Sequence, residues 1–267
     1  MQARRPALQR HLRLVPQADG SYAARSWQEA RSCLVFALDY ATLSEARLGV
    51  QAVRDAIGVV KVGLELFVRE GGAAVQLGRE LGLPVFLDLK LYDIPATVEG
   101  AVANAIALGA RFLTVHAAGG RAMLEAATRQ ARASNLSVVA VTVITSLDQA
   151  DLGAQGIAAT PAEHALRLAR LAWEAGVRSF VCSPAEVGGL RSALGRDAVL
   201  ITPGIRPSGA QSQDQKRVAT PSQAIANGAD LLVVGRPIRD AADRESAARS
   251  IVAEIEQAQT LRARAQG

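Results

Sequence analysis

Cysteine, histidine and aromatic residues are all scarce in this chain of 267 residues, with two Cys, three His, five Phe, three Tyr and two Trp. Cys33 and Cys182 sit far apart in apolar, strand-like runs. That pattern excludes a disulfide scaffold and reads as two reduced core thiols. No set of histidine, cysteine or carboxylate residues has metal-ligand spacing, so no metal and no cofactor are expected. No apolar run approaches the roughly 20 residues of a membrane span, and the N-terminus lacks the apolar core of a secretory signal. The expectation is a cytoplasmic protein with no membrane partner. Low-complexity tracts and a second domain boundary are absent as well.

Positive charge is present but unevenly spread. The formal net charge is +5, yet residues 1–31 carry six Arg against Asp19 and Glu29. The body is therefore close to neutral, which excludes the basic face of a nucleic-acid binder. Residues 1–31 are read as an N-terminal extension, a tail or a capping segment, and 32–267 as one catalytic domain.

Within that domain strands and helices alternate. Apolar runs at 33–39, 59–63, 84–90, 112–116, 137–144, 179–182, 198–202 and 231–235 predict eight strands. Helical patterns follow at 65–81, 97–109, 120–133, 162–175 and 240–262, with Ser44 as N-cap of the first helix and a short helix after Pro184. Eight strand–helix units in about 235 residues predict an α/β fold, a single-domain (β/α)8 TIM barrel. A doubly wound open sheet usually has fewer strands and a Gly-x-Gly-x-x-Gly turn after the first, which is missing here.

The third strand carries the anomaly. Asp88 and Lys90 interrupt an apolar run, and their spacing of two puts both on one strand face. Buried opposite charges are tolerable only when well paired. Asp39 ends the first strand and Lys61 lies in the second, so the four form a chain of alternating charge at one barrel mouth. Asp93 follows where Ile94-Pro95 turns the chain outward. An ion-pair network of purely structural purpose rarely gathers at the end of a barrel where chemistry resides. His116 ends the fourth strand and reads as a satisfied supporting group, while His11 and His164 read as surface residues.

The last two strands end differently. Thr202-Pro203-Gly204-Ile205-Arg206 and Gly235-Arg236 each offer a glycine for close backbone approach and an arginine for a bidentate grip. In barrels the loops after strands seven and eight are the usual phosphate site. The polar segment between them, Pro207 to Arg217, reads as an active-site lid. Thr145-Ser146, after the fifth strand, can hold a flat polar ligand or cap a turn.

Together these residues resemble the orotidine 5′-phosphate decarboxylase family. The run from Asp88 to Thr97 (DLKLYDIPAT) is similar to that family's signature. Leu38-Asp39, Lys61-Val62-Gly63, Val141 to Ser146, Thr202 to Arg206, Asp214-Gln215 and Val234 to Arg236 match in order. The resemblance implies a homodimer with shared active sites that converts orotidine 5′-phosphate to UMP and CO2 without metal or cofactor. It implies Lys90 as proton donor to C6, Asp88 beside the substrate carboxylate, and Asp39 and Lys61 on the ribose hydroxyls. Asp93 and Thr97 would reach into the partner's site. Thr145 would hold the base, and Arg206, Gln215, Gly235 and Arg236 the phosphate end.

Two other readings stay open at this point. A metal-dependent sugar-phosphate decarboxylase or aldolase on a related barrel would share the Asp-x-Lys-x-x-Asp pattern. A non-catalytic ligand-binding or nucleic-acid-binding barrel is suggested only by the Arg-rich leader, and would leave the charge chain idle.

Overall fold

The computed structural model describes residues 22–207 and 218–266, and its eight strands close in sequence order into one parallel barrel. The chain opens with α1 (Tyr22–Ser32), β1 (Leu34–Ala37), α2 (Leu43–Val53), β2 (Val59–Val62), α3 (Leu64–Glu70) and α4 (Gly72–Glu80). It continues with β3 (Val85–Leu91), α5 (Pro95–Ala107), β4 (Phe112–His116), α6 (Gly120–Ala131), β5 (Ser137–Val141), α7 (Gln149–Ala154) and α8 (Pro161–Glu174). The last third holds β6 (Ser179–Val181), α9 (Val187–Leu194), β7 (Val199–Thr202), α10 (Pro221–Asn227), β8 (Leu231–Val234), α11 (Arg236–Arg239) and α12 (Arg244–Gln266). β1 pairs in parallel with both β2 and β8, so closure leaves no unpaired sheet edge.

The strands are short apolar runs because both of their faces are covered. Val35, Val59, Phe86, Phe112, Val139, Val199 and Leu231 point inward and fill the barrel floor. The Phe86 and Phe112 rings lie 5.7 Å apart and tilted by 59°, a favourable edge contact. Residues of the opposite parity, such as Phe36, Leu87, Leu113 and Phe180, form the layer between sheet and helices. Counting upward by two from the floor residues leads along each strand to the mouth.

Local chemistry moves several boundaries. The first helix after β1 is capped by Thr42, not Ser44: Thr42 Oγ1 accepts from the Glu45 backbone N–H, and Glu45 returns the bond to Thr42 N–H. This capping box contributes about 1 kcal/mol. The helix expected over 65–81 breaks in two at Gly71, whose φ of 58° suits glycine. Pro95 opens α5 at its first turn, two residues earlier than the expected start. β5 stops at Val141, short of 144, and α12 runs over 244–266 where 240–262 was expected.

α1, α7 and α10 were not foreseen as helices. α1 falls in the segment read as an extension, yet it packs on α12, with Ser26 bonded to Glu256 and the Arg249 guanidinium 5.8 Å over the Trp27 ring. Residues 1–21 lie outside the described residues. Among the described residues no helix is long and apolar enough to cross a membrane.

At the N-terminal end of the barrel one partly buried arginine ties the last units together. Arg191 donates to the carbonyls of Gly195, Ala198 and Gly228 and pairs with Asp230, which also accepts from Leu200 N–H. Burial pushes the Asp230 carboxyl above its ordinary value, against the pull of Arg191. This network belongs to stability, since it sits opposite the mouth.

β3 departs from a regular ladder. Leu87 pairs with Leu113 and Leu91 with Val115, so β3 advances four residues while β4 advances two. The bulge falls on Asp88-Leu89-Lys90. Lys90 has φ 50° and is the single non-glycine residue at positive φ among the described residues. Such a conformation costs a non-glycine residue on the order of 1–2 kcal/mol.

Candidate active site

The mouth of the barrel encloses a cavity of about 270 Å³. Its polar lining is Asp39, Lys61, Asp88, Lys90, Thr145, Arg206 and Arg236, with Gly204 and Gly235 giving backbone surface. The apolar lining comes from Ala37, Phe86, Val141, Val143, Val181 and Val233. Four cations against two carboxylates make the cavity a receptor for an anion. The apolar wall beneath them suits a flat ring.

Strand parity puts the charges here. Val59 is a floor residue, so Lys61 points inward one level higher; Phe86 leads to Asp88 in the same way. Asp39 lies two residues past β1, above Ala37, and its carbonyl accepts from Arg239 of α11 at 2.8 Å. Lys90 follows Asp88 through the bulge and still reaches the cavity.

The four charges alternate as the sequence pattern suggested. Lys61 Nζ is 3.4 Å from Asp39 Oδ1 and 3.5 Å from Asp88 Oδ2, and Lys90 Nζ is 2.9 Å from Asp88 Oδ1. The Asp88 side chain is only 14% exposed, whereas Asp39 is 48% exposed. Burial raises the Asp88 carboxyl. The ammonium groups of Lys61 and Lys90, with hydrogen bonds from Lys90 and Thr114, outweigh that and hold it below the usual carboxylate range. Asp88 is the anion of this site, and two cations are gathered on it.

The phosphate corner is built from the ends of β7 and β8. Arg206 is buried and donates to the Ile205 carbonyl at 2.9 Å. Backbone bonds from Arg206 N–H to Ala219 and from Ala219 N–H to Gly204 join the strands of chain that flank the expected lid. The lid itself and Gln215 lie outside the described residues. A Cβ on Gly235 would sit 3.2 Å from Asp39 Oδ2, a tight contact that glycine avoids where the backbone passes this carboxylate.

Two expected site residues do not reach the cavity of their own chain. Asp93 and Thr97 are exposed and absent from its lining. Asp93 Oδ1 accepts from Ile94 N–H at 2.7 Å. His116 also stays outside the lining, its ring 5.7 Å from that of Tyr92 and tilted by 44°; burial, then Lys90, lowers its pKa. Among the described residues no group of three or more His, Cys, Asp or Glu could hold a metal ion.

Thr114 was missed. It is fully buried on β4, accepts from Lys90 N–H at 2.8 Å and donates to Asp88 Oδ1 at 3.0 Å. Parity was a usable signal, because Thr114 stands between inward-facing Phe112 and His116.

Comparison with known proteins gives a consistent result. Residues 32–251 match the family described as Orotidine 5′-phosphate decarboxylase / HUMPS. The chain is 55% identical over 217 residues to an orotidine 5′-phosphate decarboxylase of Anaeromyxobacter sp. (strain K), covering 81% of this chain and 95% of that protein. Its identity to the enzyme of that name from Frankia casuarinae is 48% over 241 residues, covering 84% and 87%. The crystal structure of orotidine 5′-phosphate decarboxylase from Lactobacillus acidophilus superposes with a TM-score of 0.74 at 35% identity, covering 83% of this chain and 98% of that one.

Proposed function

The chain belongs to the orotidine 5′-phosphate decarboxylase / HUMPS family, and we propose that its barrel mouth decarboxylates orotidine 5′-phosphate to UMP and CO2 by direct protonation at C6. The observation that carries this reading is the Lys61–Asp88–Lys90 cluster, two ammonium groups within 3.5 Å of one carboxylate, in a cavity that two arginines also line.

The reaction sets the electrostatic demand. Breaking the C6–carboxylate bond releases CO2 and leaves the bonding pair on C6, with no adjacent carbonyl to spread it. The Lys90 ammonium faces that carbon and donates a proton to it, becoming an amine that solvent recharges. One cation about 4 Å from a developing anion is worth about 4 kcal/mol at an effective dielectric constant near 20, or about a thousandfold in rate. The cluster is already assembled, so this stabilisation needs no reorganisation during the reaction. Binding of the remote phosphate supplies the rest of the driving force for closing the site around the substrate.

The other assignments follow the polarity of the cavity. Asp39 and Lys61 hold the ribose hydroxyls, and Asp88 lies beside the substrate carboxylate. Thr145 meets the base; Arg206, Gln215, Gly235 and Arg236 serve the phosphate. Asp93 and Thr97 act on the site of a second subunit. Support for the dimer comes from apolar side chains that stand in solvent around Asp93: Tyr92 and Ile94 are 64% and 66% exposed, and Leu64 and Val68 on the neighbouring βα unit 51% and 80%. A patch of that kind marks an interface. Since a charged nucleotide does not cross membranes unaided, the enzyme works where its substrate is made, in the cytoplasm.

The test is direct. Purified protein is mixed with orotidine 5′-phosphate and a chelator, and the loss of the substrate's ultraviolet absorbance is followed. Turnover unaffected by the chelator is expected. Activity that disappears and returns with Mg2+ would overturn the metal-free reading, and no turnover on this substrate would overturn the assignment itself.

A further inference from the structure

We propose that Thr114 is a positioning residue of this reaction: its hydroxyl holds Lys90 in the left-handed backbone conformation that aims the ammonium at the reacting carbon. The inference rests on the function proposed above and adds a residue to it.

The bulge creates the need. A regular β3 would give its backbone N–H groups alternately to carbonyls of β2 and β4, but β3 gains two residues on β4 between Leu87 and Leu91. A bulged residue loses its ladder partner, and a buried N–H without a partner is rarely tolerated. Thr114 Oγ1 takes the bond from Lys90 N–H at 2.8 Å. The same hydroxyl spends its proton on Asp88 Oδ1 at 3.0 Å, the oxygen that also accepts from Lys90 Nζ at 2.9 Å. One buried side chain therefore fixes the backbone of Lys90 and the carboxylate its ammonium leans on.

The closed circuit explains why the strain persists. Lys90 holds φ 50° without being glycine, asparagine or aspartate. Conformations of this kind survive where surrounding contacts over-determine them. Removing the hydroxyl leaves the Lys90 N–H unpaired and frees the backbone to relax, which swings Nζ away from Asp88. Thr114 is not itself a lining residue of the cavity and reaches it only through Lys90 and Asp88, so its loss shifts the placement of Lys90 without removing a side chain that faces the substrate.

The experiment compares Thr114→Val, which keeps the shape and removes the hydroxyl, with Thr114→Ser, which keeps the hydroxyl and removes a methyl group. Thr114→Val is expected to lower kcat by roughly 10- to 100-fold, the scale of small misplacements of reacting groups, with KM and UMP affinity within about threefold of wild type. Thr114→Ser should recover most of kcat. A crystal structure of Thr114→Val should show Lys90 out of the positive-φ region and its ammonium parted from Asp88. Equal kcat in the two variants, a loss confined to KM, or an unchanged Lys90 in the crystal overturns the inference. If Thr114→Val does not fold, Thr114→Ala is read by the same criteria, and failure of both to fold assigns Thr114 to the core and also overturns it. Wild-type protein inactive on orotidine 5′-phosphate would sink the function proposal alone, because the crystal arm still decides the position of Lys90.

Discussion

Lys90 Nζ lies 2.9 Å from Asp88 Oδ1 although the two residues belong to a strand segment that has lost its regular register. In an undistorted strand the two side chains would stand side by side at the spacing of alternate residues. The bulge folds the lysine back onto the carboxylate and presents its ammonium to the cavity.

Lys90→Ala should abolish nearly all decarboxylation while leaving the barrel folded. Loss of a general acid alone costs about 10²–10⁴-fold, and the electrostatic stabilisation of the C6 anion goes with it. Steady-state kinetics with circular dichroism as the folding control checks this. A variant within tenfold of wild type would remove Lys90 from the mechanism.

Asp88 makes stability depend on pH in a definite sense. Its folded pKa is depressed, despite burial, by Lys61, Lys90 and the bonds from Lys90 and Thr114. The contribution is therefore fully present above the unfolded carboxyl value of about 3.9 and is lost as pH falls through the folded value. Wild type and Asp88→Asn should differ by about 2 kcal/mol near neutrality, less than for a fully buried pair because both lysines keep some solvent. Denaturant melts across pH should show that gap constant above about pH 4 and closing below it. A gap that widened in acid would reverse the assigned shift.

Gly235→Ala tests the crowding at Asp39. The new Cβ would meet Asp39 Oδ2 at 3.2 Å, and the half-exposed carboxylate can yield by a few tenths of an ångström. The cost should fall on substrate binding: about tenfold in kcat/KM, mostly through KM, with the melting temperature unchanged. A large stability loss with normal KM would show that the glycine serves packing.

Sharing of sites between subunits predicts rescue. Lys90→Ala and Asp93→Ala proteins, each inactive, are mixed under conditions that allow dimers to exchange. Random pairing makes about half of the dimers mixed, each with one site that has both residues intact, as two-fold symmetry requires. Activity should approach about a quarter of the wild-type value per subunit. If mass spectrometry confirms exchange and no activity returns, Asp93 works within its own chain.

Much of this was legible in the sequence, and the reasons differ residue by residue. The barrel could be read because each strand is an apolar run covered on both faces. Asp39, Lys61, Asp88 and Lys90 stood out because charge in such runs demands partners. Thr42, Thr160 and Thr220 each precede a Glu or Gln by three, and that spacing was the overlooked sign of three helix starts. The bulge could not be read at all. It is a mismatch between β3 and β4, a relation between two strands, and neither run of letters contains it. Thr114 was legible in part: its parity with Phe112 and His116 turns it inward, but its role appears only once Lys90 N–H needs an acceptor.

The φ of 50° at Lys90 has a consequence for laboratory evolution. Glycine and asparagine accept that backbone shape readily, and Lys61 would still neutralise Asp88 at 3.5 Å. Lys90→Gly and Lys90→Asn are therefore expected to melt higher than wild type while being dead as catalysts. A population screened for heat resistance alone would drift toward these substitutions, and its survivors would be robust barrels with no turnover. Position 90 is where thermal selection and growth selection on this chain pull in opposite directions.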